Sequence, residues 1–147
     1  MNRTDFQQLA ELRLKEARAL LAAELPDGAY YLAGYAIESG LRACIAKRTQ
    51  QYDFPDKKLV IDSHTHDLGK LLDLAGLSDL LKNDVASNVE LKLDWETVRD
   101  WSEQSRYRLY DQLYNGNPFG GLYDAESLID AVESKKGGVL RWIRQSW

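Results

Sequence analysis

AYYLAGYAIESGLRACIAKR, residues 29 to 48, is the stretch whose reading decides the fold. Its first half is apolar on nearly every side, and twenty residues is far too long for a strand, so it reads as a helix buried all round. Pro26, Asp27 and Gly28 punctuate the chain just ahead of it. The small residues Ala33, Gly34, Ala36, Gly40 and Ala43 lie along this helix. Each glycine costs about 1 kcal/mol of helix propensity, a cost that close approach of a neighbouring helix would explain. Cys44, on the same apolar helix, reads as a small core hydrophobe. Glu38 is the anomaly. A carboxylate in so apolar a segment must be paired, hydrogen-bonded or protonated, because desolvating it alone costs several kcal/mol. Arg42 stands one turn on, within reach. Two readings follow: an ion pair, with Arg42 or with an arginine of another helix, or a polar pocket between helices.

Outward from this centre the helical pattern recurs. Thr4 and Gln7 make a capping-box start, and Phe6, Leu9, Ala10, Ala17, Leu20 and Leu21 follow at helical spacing, giving a first helix over about 5 to 24. From Thr49 to Ser63 the periodicity fades, and Pro55 with Lys57 and Lys58 reads as an exposed loop. Leu68, Leu71, Leu72 and Ala75 mark a short third helix, with Gly76 placed for a left-handed cap. Ser78 and Ser87 are candidate caps for a fourth region carrying Leu81, Val85, Val89, Trp95, Val98 and Trp101, with Ser87 and Glu90 in capping-box register and a break near Ser87. Trp95 and Trp101 are assigned to the core. Residues 103 to 123 form the most irregular stretch, rich in asparagine, glycine and proline. A last helix is expected from near Asp124, keeping phase through a kink at Gly137 and Gly138. With no repeat and no strand alternation, the fold class is all-α: an antiparallel up-and-down bundle of four main helices plus an additional one, in a single domain over residues 1–147.

Composition limits the functional classes. An apolar fraction of 44% and a charged fraction of 29% are those of an ordinary globular domain, so neither disorder nor membrane residence is suggested. No apolar run approaches the roughly 18 residues needed to span a bilayer, and the polar start MNRTDFQQLAELRL does not read as a secretory signal. The single cysteine excludes an internal disulfide and a thiolate zinc cluster and fits a cytoplasmic location. A net charge of −4 argues against a global field for nucleic acid but leaves room for a local basic patch.

Both histidines fall in SHTHDLGKLL, residues 63 to 72. His64 and His66, flanked by Asp62 and Asp67, invite a metal reading, since imidazole and carboxylate together suit zinc or iron. Such a site needs further ligands at a distance, and no third histidine exists to provide one. The favoured reading is local: Thr65 or Ser63 caps the third helix, whose first turn holds His66 and Asp67, the aspartate set against the helix dipole. A binding role for His66 is the remaining option. In SRYRLYDQLY, residues 105 to 114, Arg106 and Arg108 flank Tyr107, and Tyr110 and Tyr114 continue the aromatic spacing. Tyrosines stacked beside arginines suit single-stranded nucleic acid, although such a stripe is more commonly core or dimer contact.

The order of AYYLAGYAIESGLRA on a second helix, HDLGKLL opening a third, and a tryptophan followed by RY after a fourth resembles the HEPN family of small helical domains. The resemblance runs from the first helix to Trp147. It implies a bundle of four main helices plus one, often a homodimer. It also implies prokaryotic roles in RNA handling, toxin–antitoxin pairs and defence, frequently beside a minimal nucleotidyltransferase. Ribonuclease members carry an arginine separated by four to six residues from a histidine, the arginine stabilising phosphate charge and the histidine acting as acid or base. Counting back from His64 gives Leu59, Lys58 and Lys57, and from His66 gives Ile61, Val60 and Leu59; no histidine follows Arg106. The resemblance therefore implies a non-catalytic domain that binds RNA, a nucleotide or a partner protein. Its expected ligand-facing set is Glu38, Arg42, His66, Asp67, Arg106, Tyr107 and Arg108, with no metal and no cofactor. The expected assembly is a homodimer, one component of a two-gene module with a nucleotidyltransferase-type partner. The alternatives are a ribonuclease or nucleotide-dependent enzyme with a Glu38, His66 and Arg106 pocket, and a purely structural homodimer.

Overall fold

Pro26 opens the central helix, α2 (Pro26–Arg48), at the position where a missing backbone N–H costs nothing. A computed structural model describes residues 1–49, 54, 56–107 and 118–147, with side chains except at 118–120. Within α2, Ala29, Ala33, Ala36, Ile37, Leu41 and Ala43 are fully buried, and Cys44 is buried with them. The first helix, α1 (Arg3–Ala22), packs along α2 after a three-residue turn. Glu24 takes a left-handed φ of 59° there, and Glu24 and Leu25 donate their N–H groups back to the Leu21 and Leu20 carbonyls. That is a Schellman closure with glutamate where glycine is commoner.

Several local expectations are corrected. Helix α1 starts two residues early because Asn2, not Thr4, caps it: Asn2 Oδ1 accepts from Asp5 N at 3.0 Å, and Asn2 N donates to Asp5 Oδ2 at 2.8 Å. The segment read as an exposed loop contains α3 (Lys57–Asp62), capped by Asp56, too short for periodicity to reveal. Asp67, rather than Thr65 or Ser63, caps α4 (Leu68–Leu74), accepting from Lys70 N at 3.0 Å, so His66 lies outside the helix. Thr65 acts one step back, its hydroxyl accepting from Asp67 N at 3.2 Å. Gly76 has the left-handed φ of 74° that its place after α4 called for. The expected break falls at Asn88, between α5 (Ser78–Ser87) and α6 (Val89–Arg99), and the Asn88 side chain caps α6 where Ser87 had been the candidate. Ser78 does not cap α5 either; Leu77 holds that position with no side-chain bond.

After a 3-10 turn over Glu103–Tyr107, the last helical region begins at Pro118 rather than near Asp124, again with proline in the first turn. It does not kink at the glycines; it stops. Helix α7 (Pro118–Val132) ends, and α8 (Val139–Arg144) starts after Gly138, whose φ is 121°. A Cβ at Gly138 would lie 2.5 Å from the Val132 carbonyl oxygen, so only glycine lets the chain turn there.

Every regular element among the described residues is helical. Helix α2 packs against α1 and α7, α7 also packs against α1 and α6, and α8 closes against α2, α6 and α7. The small residues of α2 let neighbours in. The Trp101 indole lies directly over Gly34, where a Cβ would sit 2.1 Å from it, and Leu140, Ile143 and Trp147 approach Gly40. Trp101 is buried, and Trp95 is a partly buried residue packed against the core. No helix among the described residues is long and apolar enough to cross a membrane.

Candidate functional site

The buried carboxylate of Glu38, 3% exposed, is the node of a cluster between α2, the segment before α4, and the 3-10 turn. Arg42 Nε donates to Glu38 Oε1 at 3.1 Å, the contact that an i, i+4 spacing offers. On the other side His66 Nδ1 lies 2.9 Å from Glu38 Oε2. Desolvation of Glu38 is thus offset by two charge-assisted partners.

Arg42 does more than pair. Its Nη1 donates to the Ser63 carbonyl and its Nη2 to the Thr65 carbonyl, both at 2.9 Å. One planar guanidinium thereby ties the 63–65 backbone to α2 and fixes where His66 enters. Its donors are turned onto the protein's own groups, so in this structure Arg42 acts as a positioning residue.

The second ring nitrogen of His66 is engaged as well, on a side chain that stays 41% exposed. His66 Nε2 lies 3.1 Å from Glu103 Oε2, a carboxylate of the 3-10 turn. Both ring nitrogens face carboxylate oxygens, an arrangement that an imidazolium satisfies with two donated bonds and a neutral ring with one. The two carboxylates stand at opposite edges of the imidazole, so they do not converge on one point as metal ligands must. Among the described residues no group of three or more His, Cys, Asp or Glu could hold a metal ion.

Aromatic rings wall the cluster. Tyr35 lies 6.2 Å from the His66 ring, meets Trp101 edge-on at 5.6 Å, and sits 5.0 Å from Tyr31. Burial pushes the Tyr35 hydroxyl well above its ordinary pKa, helped by its bond to Tyr31 and by the charges of Glu38 and Glu103. Arg106 stands at the edge of this group, stacked over Tyr107 at 4.7 Å, its guanidinium pKa raised chiefly by the Tyr31 side chain. Tyr107 is 70% exposed, so the pair forms an open rim.

Of the residues singled out from sequence, the structure brings Glu38, Arg42 and His66 into direct contact and leaves Arg106 at the rim, stacked on Tyr107. Asp67 is a helix cap outside the cluster, and His64 is exposed. Arg108, Tyr110 and Tyr114 lie outside the described residues. Glu103, Tyr31 and Tyr35 were missed. The tyrosines are hidden in an apolar run that reads as uniform core, and Glu103 stands in a stretch with no periodicity to orient it.

A sequence model of the HEPN domain matches residues 5–142. No curated protein and no solved structure gives a significant match. The family match spans the described helices from α1 into α8 and takes in the residues of the Glu38 and His66 cluster, and on that coverage this chain belongs to the HEPN domain family.

Proposed function

We propose that this HEPN domain is a non-catalytic RNA-binding component of a two-gene toxin–antitoxin or defence module, working with a nucleotidyltransferase-type partner. The observation that carries the reading is the double engagement of His66. A general acid or base needs a ring nitrogen within reach of the substrate proton. Glu38 holds one nitrogen and Glu103 the other. The absence of an arginine at the ribonuclease spacing points the same way, since that arginine is the group that stabilises phosphate charge in the ribonuclease members. Recognition then falls to the rim, where the exposed Tyr107 ring and the Arg106 guanidinium offer a stacking and phosphate-contacting pair. In this reading the domain acts as a homodimer.

The test is to incubate the purified chain with mixed-sequence single-stranded RNA, with and without divalent metal, and to follow retention and strand integrity together. Retention of intact RNA, weakened by Arg106→Ala with Tyr107→Ala, is the expected result. Cleavage that disappears in His66→Ala would overturn the non-catalytic reading, and absence of retention would remove RNA as the ligand.

A further inference from the structure

The turn between α7 and α8 gathers positive charge that the His66 cluster does not use. Lys135 and Lys136 are exposed, and neither ammonium is ion-paired among the described residues. Two arginines from other elements are drawn onto the same turn by its carbonyls. Arg18 of α1 donates through Nη2 to the Glu133 carbonyl at 3.1 Å. Arg141 of α8 donates through Nη2 to the Ser134 carbonyl at 2.7 Å and through Nη1 to the Lys135 carbonyl at 3.3 Å. Carbonyl dipoles fix a guanidinium without cancelling its charge. Both side chains stay about half exposed, at 51% and 44%. The carboxylate beneath the turn, Glu133, is taken by Arg144 at 2.7 and 2.9 Å, leaving Arg141 at 3.6 Å and Arg18 at 4.0 Å. Four cations therefore face solvent together on a chain whose net charge is −4.

A groove of about 840 Å³ runs beside the turn. The four cations line it together with Glu90, Asp94 and Asp130, which are not ion-paired among the described residues. The two arginines are already held in place, so less side-chain freedom is lost when a phosphate meets them.

We propose that Lys135, Lys136, Arg18 and Arg141 form a phosphate-backbone contact surface for single-stranded RNA, distinct from the His66 cluster. The assignment rests on the RNA-binding reading above and locates its electrostatic component. A stacking pair at Arg106 and Tyr107 with a cationic strip elsewhere is the combination that holds a single strand with little sequence preference.

The salt dependence of binding tests this. With about 0.7 counterions released per phosphate contact on a single strand, four contacts weaken binding about 50-fold between about 50 and 200 mM salt, and two contacts about 7-fold. The full chain and its Lys135→Gln/Lys136→Gln variant are titrated with a mixed-sequence single-stranded RNA by fluorescence anisotropy, with a thermal melt to verify folding. A shallower salt dependence in the variant, with at least tenfold weaker binding at the lower salt, is expected. If the wild type binds and the variant matches it in affinity and slope, the surface assignment is overturned while the RNA-binding reading stands. If the wild type does not bind RNA, both fall. Competition by poly-glutamate equal to that by RNA at matched charge would reassign the turn to an acidic protein and overturn the proposal.

Discussion

Gly34→Ala is the substitution that most directly couples the packing of α2 to the candidate site. On helix propensity alone it stabilises, by about 1 kcal/mol. The structure reverses the sign. The added Cβ would stand 2.1 Å from Trp101 Cδ2 and Cε2, whereas carbon atoms rest at about 3.5 Å or more, so the indole must retreat by about 1.4 Å. Trp101 is 4% exposed and packs edge-on against Tyr35, which leaves it no free direction. Overpacking of this kind costs about 3 kcal/mol at the upper end of the usual range, and subtracting the propensity gain leaves a net loss of about 2 kcal/mol. For a chain of this size that corresponds to a fall in Tm of about 6 °C. Because Trp101 lies two residues before Glu103, the first residue of the 3-10 turn, the same shift carries Glu103 away from His66. Urea unfolding and thermal melts of Gly34→Ala measure the loss, with Gly137→Ala as the control, since a Cβ at Gly137 meets nothing within 4 Å. Wild-type or higher stability in Gly34→Ala would refute the packing argument.

Three further outcomes follow from the same geometry. Arg42→Ala strands the buried Glu38 carboxylate and releases the 63–65 carbonyls, so it should cost about 3–5 kcal/mol, whereas Glu103→Ala breaks a partly exposed pair worth about 1 kcal/mol or less; equal losses in urea unfolding would contradict the assignment of Arg42 as the positioning group. The Arg144 bonds hold the Glu133 carboxyl below the ordinary carboxylate range, outweighing its burial, with Arg18 and Arg141 adding to the effect. A depressed carboxyl contributes stability above its unfolded value and loses it as pH falls through the folded one; Tm curves of wild type and Glu133→Gln should therefore differ at neutral pH and converge in acid, and parallel curves would show that the pairing contributes nothing. Burial pushes the Cys44 thiol up to about 11 against the pull of Lys47 and Arg3, so a thiol reagent at neutral pH should label it only on unfolding, and prompt labelling of the native chain would show that α2 is not sealed.

The sequence by itself determined the elements whose signals are local. The run from Ala29 to Arg48 has too many apolar neighbours on every side to be anything but a buried helix, Gly76 takes a left-handed conformation that few other residues adopt, and the break beside Ser87 was marked by a local run of capping residues. The pairing of Glu38 with Arg42 was legible for the same reason, because one helical turn fixes it. What only the tertiary structure decided lies at longer range. His66 meets Glu38 from 28 residues away, and Glu103 reaches His66 from a turn without periodicity, so neither distance is encoded in any window of sequence. The caps show the same division on a smaller scale: Asn2, Asp67 and Asn88 were each one of several polar residues with similar capping preference. Which residue serves depends on where the chain turns toward the core. The 133–138 turn is the clearest case, since its glycines announced a disturbance and not its form. Only the burial of Val132, Val139 and Leu140 against α2 sets the two helices apart and brings Arg18 and Arg141 to one place. Local rules specify the backbone of each segment; the free energy of burying those segments together chooses the neighbours, and the site is made of neighbours.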